Sequence, residues 1–143
     1  MKDQSRITAA TLLLTLALPV ASAAAEKEKS VGQLEYERNC ATCHGLKGKG
    51  NGPFAEFLTE GAPSLTTLSK NNDGVFPVKR VRSYIDGREW TAAHGSREMP
   101  IWGAEYTEES MAAHGPFFRE WYGEDVVQAR ILALVEYIST LQE

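Results

Sequence analysis

Hydrophobic and polar residues alternate with helical spacing in three parts of the chain, residues 31–44, 76–87 and 125–141. The last part has the clearest pattern, because its apolar residues recur at intervals of four and three: Val127, Ile131, Leu134, Ile138 and Leu141. Such intervals place side chains on one face of an α-helix. The pattern predicts a helix that begins at Asp125 and buries this face, with Arg130 on the side that faces water.

The first pattern predicts a helix from Val31 to about His44. Ser30 is a suitable N-cap, and Gly45 is suited to end the helix. Gly32 is unexpected near a helix start, where glycine costs about 1 kcal/mol relative to alanine. Two interpretations of it stay open: a frayed first turn, or close approach by the backbone of another helix.

The middle pattern predicts a helix within residues 76–87 that buries one apolar stripe. The stripe consists of Val78, Val81, Tyr84 and Ile85. Shorter elements are predicted elsewhere: a core-forming turn with Phe54 and Phe57, a short helix capped by Thr66, and a short surface helix at residues 108–113.

The most specific motif is Cys40-Ala41-Thr42-Cys43-His44. Two thiols three positions apart, followed at once by histidine, form the attachment signature of a c-type haem. On one helical turn Cys40 and Cys43 fall on the same face, so each thiol can form a thioether with one vinyl group of the porphyrin. His44 then lies beneath the iron as its proximal ligand.

Three other kinds of site use a pair of cysteines. A structural zinc site needs two more ligands, and the remaining histidines, His94 and His114, lack the spacing of three to five residues that zinc modules use. A redox-active dithiol normally opens a helix after a strand, and no strand is predicted before Cys40. A plain disulfide leaves the adjacent histidine unexplained, so haem attachment is the favoured interpretation.

A haem iron held by His44 has a second axial position. Met99 stands in a polar, loop-like segment directly before Pro100, and a thioether ligand opposite the histidine gives an electron-transfer haem with a raised reduction potential. Core packing is the alternative role for this methionine. The other candidates for the axial position are His94, His114 and Met111.

Residues 1–23 have the pattern of a cleavable secretory signal, with two basic residues, an apolar stretch and a small-residue cleavage site. The apolar stretch is shorter than the roughly 20 residues of a spanning helix, which favours cleavage over an uncleaved membrane anchor. Residues 24–30 are charged or small and predict a mobile linker. We therefore expect a periplasmic protein without a membrane span in its mature chain.

Cleavage leaves about 120 residues, the length of one domain. Residues 1–23 carry two of the 15 basic and one of the 19 acidic residues, so the net charge goes from −4 to −5. An acidic chain lacks the basic face that nucleic-acid binding needs, so no nucleic-acid partner is expected.

From Val31 to its end the chain resembles the monohaem class I cytochromes c. The resemblance rests on the haem motif, two pairs of residues at a helix crossing, a proline segment and a methionine segment. These are Cys40–His44, Gly32 with Tyr36, Leu134 with Tyr137, Pro63 with Leu65, and Met99 with Pro100. The resemblance implies an all-α fold of about four to five helices around one covalently bound haem over residues 31–143.

The resemblance also implies roles for single residues. Gly32 would let the first helix cross the last one closely. The carbonyl oxygen of Pro63 would accept the Nδ1–H of His44 and thereby orient the ring. Leu65 would pack on the haem, and Met99 would be the distal ligand. The segment between this methionine and the last helix is longer than in the smallest members of the family.

Two aromatic features stay open. The indole N–H of Trp90 is a candidate partner for a haem propionate, and core packing is the alternative. The aromatic residues of segment 105–122 would either pack in the core or form a surface for a partner protein.

These expectations describe an exported electron carrier whose iron cycles between the ferrous and ferric states with both axial positions filled, so no small-molecule substrate is expected. Redox partner proteins would dock at the haem edge through small, short-lived interfaces. Two other functions stay open: a haem-bearing subunit of a periplasmic dehydrogenase or oxidase complex, and a haem sensor or peroxidase-like enzyme with a labile sixth ligand.

Overall fold

The computed structural model of the chain describes residues 28–89, 98–115, 117 and 122–143. Within these ranges the chain forms five α-helices and no strand, which confirms the predicted all-α fold. The helices are α1 (Val31–Asn39), α2 (Ala41–His44), α3 (Val78–Asp86), α4 (Trp102–His114) and α5 (Glu124–Ser139). The predicted signal segment 1–23 lies outside the described residues, as does most of the linker. In the part of the chain that the structure describes, no helix combines the length and apolar character needed to cross a membrane.

Helices α1 and α5 cross at Gly32. A Cβ atom at this residue would overlap the carbonyl oxygen of Ala133 and lie 3.0 Å from the Cβ of Tyr137. Only glycine lets the two backbones approach so closely. The close-approach interpretation of Gly32 is therefore confirmed.

The predicted aromatic and leucine partners also meet at this crossing. The rings of Tyr36 and Tyr137 lie 5.2 Å apart between centroids. Tyr36 and Leu134 are fully buried. Tilted aromatic pairs of this kind add to the free energy gained from apolar burial, so the crossing forms a stable base for the rest of the fold.

Helix α5 runs through the core. Four of the five residues on its predicted apolar face are buried, and the fifth, Leu141, packs against the core while partly buried. The helix starts at Glu124, one residue before the predicted start. The burial of one face of α5 gives α1, α3 and α4 a common surface on which to pack.

The first predicted helix is divided at Cys40, where the prediction of one continuous helix is wrong. Cys40 has φ −112° and ψ −36°, so the chain leaves regular helical geometry there and resumes it for the single turn of α2. The Ser30 side chain caps α1, and Gly45, with φ 75°, ends α2, both as predicted. The break falls at the first residue of the haem motif.

Two short predictions are also wrong. Phe54 and Phe57 pair with each other at 5.3 Å between ring centroids, but they are 50% and 69% exposed. Phe54 precedes, and Phe57 ends, the 3₁₀ turn Ala55–Phe57, which has only three residues and no broad face to bury. Thr66 caps no helix; it is buried, and its carbonyl oxygen accepts a hydrogen bond of 2.9 Å from the N–H of Glu143.

Helix α4 is much longer than the predicted surface helix at residues 108–113. It has 13 residues and starts at Trp102, three residues after Met99. Its Tyr106 is fully buried, and the Trp102 ring lies 5.7 Å from the Tyr106 ring. These contacts make α4 part of the core and place its start at the methionine segment.

Arg130 does not simply face water. Its guanidinium lies 3.7 Å from the centre of the Tyr106 ring and pairs with Glu35 at 3.1 Å and Glu109 at 2.8 Å. The long apolar stem lets the charged group reach back over the aromatic ring. Arg130 thereby joins α1, α4 and α5.

A second charged cluster joins the end of α3 to the starts of α4 and α5. Arg88 pairs with Asp86 at 2.6 Å and with Glu124 at 2.8 Å. A Cβ at Gly103 would overlap the Asp86 carboxylate. The glycine in the first turn of α4 therefore lets this charged cluster lie against the helix.

Candidate functional site

The cysteines and histidine of the motif lie on α2 and at the residue before it. Cys40 is 7% exposed, whereas Cys43 and His44 are intermediate in burial. The Tyr36 hydroxyl donates a buried hydrogen bond of 2.7 Å to the carbonyl oxygen of Gly45, directly after α2. The crossing of α1 and α5 thus fixes the position of the motif.

The glycine-rich loop after α2 folds back along this helix. The N–H of Gly50 donates to the carbonyl oxygen of His44 at 2.8 Å. The N–H of Gly52 donates to the carbonyl oxygen of Cys43 at 3.0 Å. A Cβ at Gly52 would overlap the carbonyl oxygen of Thr42. The loop therefore satisfies the last carbonyl groups of α2, which have no partner inside the helix.

The imidazole of His44 is oriented by one backbone contact. Its Nδ1 lies 3.1 Å from the carbonyl oxygen of Pro63. A carbonyl oxygen only accepts, so Nδ1 carries the proton and donates it, and Nε2 keeps the lone pair that binds a metal. Burial lowers the pKa of His44, and the hydrogen bond to Pro63 opposes this to a smaller extent. The ring is therefore neutral near pH 7, as a metal ligand must be.

The motif lines a cleft of about 410 Å³ that adjoins an inner cavity of about 270 Å³. Five residues line both spaces: Cys40, His44, Pro63, Tyr84 and Met99. Cys43 lines the cleft, and Leu65 lines the inner cavity. The structure therefore brings together six of the seven predicted site residues; the seventh, Trp90, lies outside the described residues.

The inner cavity is mainly apolar. Its aliphatic lining consists of Leu65, Leu68, Val81, Ile85 and Ile138. Arg80 also lines this cavity, and it is the only arginine or lysine among the described residues that lines either space. An apolar space with few polar groups is typical of a cofactor site.

The two sides of the cleft come from separate parts of the chain. The proximal wall contains the lining residues of segments 39–44 and 58–63, and the distal wall contains those of segment 98–102. Met99 belongs to the distal wall, is partly buried and packs against the core directly before α4. A thioether and an imidazole thus line one cleft from separate segments.

Two other candidates for the axial position lie elsewhere. Met111 lines a separate surface cavity beside α4. His114 lies in the last turn of that helix, and its Nδ1 is 3.2 Å from the carbonyl oxygen of Ser110. Neither residue lines the cleft. His94 lies outside the described residues.

Several lining residues were not predicted from the sequence as site residues. They are Asn39, Arg80, Tyr84, Glu98 and Trp102. Asn39 and Glu98 directly precede the two predicted ligand segments, so proximity in sequence was a usable signal for them. No nearby sequence signal indicates that Arg80 or Tyr84 lies at the site, because α3 and the motif meet only through tertiary packing.

The other interpretations of the cysteines receive no support from the described residues. Cys40 and Cys43 are both free thiols. Burial raises the pKa of the Cys40 thiol to about 12, which disfavours the thiolate that a redox-active dithiol needs. The described residues contain no group of three or more metal-ligating His, Cys, Asp or Glu side chains, such as a zinc site would use.

The donor set of the cleft fits a haem. Two thiols, one neutral imidazole with a free Nε2 and one thioether line the same space, and aliphatic side chains line its inner part. Iron in c-type cytochromes takes imidazole and thioether ligands. Each residue type that such a group needs is therefore present around the cleft.

A protein-family model described as cytochrome c oxidase, cbb3-type, subunit III matches residues 27–114. No curated protein and no solved structure gave a match. A cytochrome c domain implies a haem with iron, redox partners, and the role of an electron carrier rather than a catalytic enzyme. The chain therefore belongs to the monohaem class I cytochrome c family, within the family described for subunit III of cbb3-type cytochrome c oxidase.

Proposed function

We propose that the protein is an exported c-type cytochrome that carries single electrons between redox partners through one covalently attached haem with His44 and Met99 as axial ligands. The observation that carries the proposal is the single cleft lined by the cysteine-histidine motif and by Met99. The bound haem supplies a ferrous–ferric couple, and the residues of the chain hold, orient and shield it.

Each wall of the cleft contributes one kind of attachment. On the proximal wall, Cys40 and Cys43 hold the porphyrin through thioether bonds. The carbonyl oxygen of Pro63 keeps the proton on Nδ1 of His44 and leaves Nε2 for the iron. On the distal wall, Met99 supplies a sulfur ligand, which favours the reduced state and raises the potential.

The inner cavity supplies the low-polarity surroundings. Its aliphatic residues exclude water from most of the ring, which limits solvent reorganisation when the charge of the iron changes. Arg80 lines this cavity, and its guanidinium, which donates a hydrogen bond of 3.3 Å to the Asn72 side chain, is suited to pair with a propionate carboxylate. Trp90 lies outside the described residues, so its predicted contact with a propionate stays a prediction.

The proposal is tested with holo-protein expressed together with a haem-attachment system. Haem should stay with the polypeptide on a denaturing gel, and Cys40→Ala with Cys43→Ala should abolish this staining. Met99→Ala should lose the long-wavelength absorption that methionine-to-iron ligation gives to the ferric protein. A colourless purified wild-type protein would reject the proposal.

Export to the periplasm belongs to the same proposal and rests on residues 1–23 and on the haem motif. Cell fractionation should find the haem-stained chain in the periplasm, with an N-terminus that starts after this segment. Retention of full-length chain in the cytoplasm would contradict export without affecting the haem site.

A second candidate function is that of a haem-bearing subunit in an oxidase complex, and the family match favours it, since the family is described as a subunit of a cbb3-type oxidase. The aromatic residues of segment 105–122 support this function only in part. Tyr106 is fully buried and belongs to the core, whereas Phe117 and Tyr122 are 78% and 63% exposed. Affinity purification from native membranes and periplasm decides: co-elution with a larger redox protein supports a subunit, and a chain that elutes alone supports a mobile carrier.

A sensor or peroxidase-like enzyme is the remaining candidate, and it needs a labile sixth ligand. Carbon monoxide added to the reduced holo-protein distinguishes this function from electron transfer. Slow or undetectable binding is expected if Met99 holds the iron, and rapid binding by the wild type would favour the sensor or enzyme.

A further inference from the structure

Glu98 connects the two sides of the cleft mouth. Its Oε1 accepts a hydrogen bond of 2.9 Å from the backbone N–H of Thr59, and its Oε2 lies 3.5 Å from the backbone N of Glu60. These partners are 39 and 38 residues away along the chain. A bond from a backbone N–H to an ionised carboxylate is stronger than a neutral hydrogen bond, so the shorter contact carries most of the interaction.

The two connected segments carry the residues that matter for the haem site. Glu98 directly precedes Met99, and both line the cleft. Thr59 and Glu60 lie shortly before Pro63, whose carbonyl oxygen accepts the His44 hydrogen bond. One carboxylate therefore links the methionine segment to the segment that orients the histidine.

The described segment that carries Met99 has no regular secondary structure of its own to hold it in place. Residues 98–101 form no regular helix or strand, and α4 starts only at Trp102. The backbone of Met99 is thus held from one side by α4 and from the other by the contacts of Glu98.

We propose that Glu98 is a positioning residue that clamps the methionine segment to residues 59–60 and thereby keeps the Met99 sulfur at the iron. This inference rests on the proposed function, in which Met99 is the sixth ligand. With the clamp in place, a methionine that leaves the iron stays close and returns quickly. Without it, the axial position stays open longer, and an external ligand competes better.

The test compares variants of the holo-protein that separate geometry from charge. Glu98→Ala removes the acceptor and the charge, whereas Glu98→Asp keeps the charge but is one methylene too short to reach the Thr59 amide. Glu98→Gln keeps one acceptor oxygen and loses the charge. Glu56→Ala is the matched control, because it removes an exposed carboxylate in the 3₁₀ turn shortly before Thr59. Met99→Ala reports complete loss of the sulfur ligand.

Three readouts are measured: the rate of carbon monoxide binding to the reduced protein, the methionine-to-iron absorption of the ferric protein, and hydrogen exchange of the amides of residues 59 and 60. Glu98→Ala should bind carbon monoxide about 2-fold to 5-fold faster than wild type, because Glu98 is exposed and solvent weakens its hydrogen bonds. Glu98→Asp should behave like Glu98→Ala, Glu98→Gln should be intermediate, and Glu56→Ala should match the wild type. Exchange at residue 59 should accelerate in the first two variants.

Two outcomes overturn the inference while leaving Met99 ligation intact. One is a Glu98→Ala variant with wild-type kinetics beside a Met99→Ala variant that binds carbon monoxide rapidly. The other is a Glu98→Asp variant that matches wild type in every readout, which would reduce Glu98 to a source of charge. A Met99→Ala variant indistinguishable from wild type would instead reject the proposed ligation, and the clamp with it.

Discussion

The two walls of the cleft are held by different kinds of interaction. On the proximal wall, backbone groups bond to backbone groups: the glycine loop donates to the last carbonyls of α2. On the distal wall, charged side chains make the contacts that place the methionine segment. Glu98 binds the backbone of Thr59, and the Asp86–Arg88 pair lies against the first turn of α4 at Gly103.

Under the proposed ligation, this difference separates a permanent ligand, His44, from an exchangeable one, Met99. Backbone hydrogen bonds in a tight loop do not depend on the protonation of a side chain. Partly exposed charged contacts are weaker, are screened by salt and depend on the protonation of their carboxylates. We therefore expect the His44 side to tolerate conditions that loosen the Met99 side.

The largest expected effect comes from removing the two proposed axial ligands in turn. His44→Ala should prevent formation of the low-spin haem spectrum, because the proximal wall offers no second imidazole. Met99→Ala should keep the covalently attached haem and lose only the distal ligand. Haem staining and visible spectra measure both. Equal loss of haem in the two variants would show that the walls are equivalent.

Gly32→Ala tests the base of the proximal wall and should destabilise the protein by about 2–3 kcal/mol, because the new Cβ would overlap the Ala133 carbonyl oxygen and force the helices apart. Denaturant unfolding followed by circular dichroism measures the change. Glu136→Ala, an exposed change on α5, is the control and should stay within about 0.5 kcal/mol of wild type. Unchanged stability of Gly32→Ala would mean that the crossing has room to adjust.

Tyr36→Phe removes the hydroxyl that ties the end of α2 to the core and should cost about 1 kcal/mol, the typical value for one buried hydrogen bond. Tyr137→Phe keeps the aromatic pair and should cost less. The same unfolding experiment compares them. A larger loss of stability in Tyr137→Phe would mean that the hydroxyl of Tyr137 contributes more than that of Tyr36.

The smallest expected effect concerns acid and the distal wall. The hydrogen bond from Arg88, supported by Gln128, lowers the pKa of Asp86 to about 2, although partial burial opposes the shift. Because this pKa lies below the ordinary value of 3.8, the ionised carboxylate stabilises the fold above about pH 4, and the stabilisation is lost as the pH falls towards 2. Asp86→Asn should therefore cost roughly 0.5–1 kcal/mol at neutral pH and almost nothing near pH 2.

Unfolding of Asp86→Asn beside wild type across this pH range checks the prediction. Glu136→Gln, which changes an exposed carboxylate on α5, should show no comparable pH dependence. A difference between Asp86→Asn and wild type that stays constant with pH would assign the effect to packing beside Gly103 rather than to charge.

Much of the fold was predictable because its signals are local. The face of α5 follows from intervals of three and four, and the caps Ser30 and Gly45 stand next to the elements that they bound. The cysteine-histidine motif is specific by itself. Gly32 became interpretable only through the family resemblance, since a single glycine does not reveal which backbone approaches it.

The rest depended on contacts between distant segments. The length of α4 was missed because the loop-like stretch around Met99 and Pro100 concealed its start at Trp102. Glu98 was missed as a site residue because its partners are backbone amides, which leave no trace in the side-chain pattern. Arg130 was predicted to face water because periodicity gives the direction of a side chain but not the distance over which a long side chain can make contacts.

The burial of Cys40 has a consequence for the biogenesis of the protein. Only 7% of its surface is accessible, and burial raises its pKa to about 12, so in the packed fold this thiol reaches solvent only through the cleft and is mainly protonated. Under the proposed thioether linkage, we therefore expect haem attachment to be faster before the helices pack than after. A chain that folds before its haem is attached would then give less holo-protein.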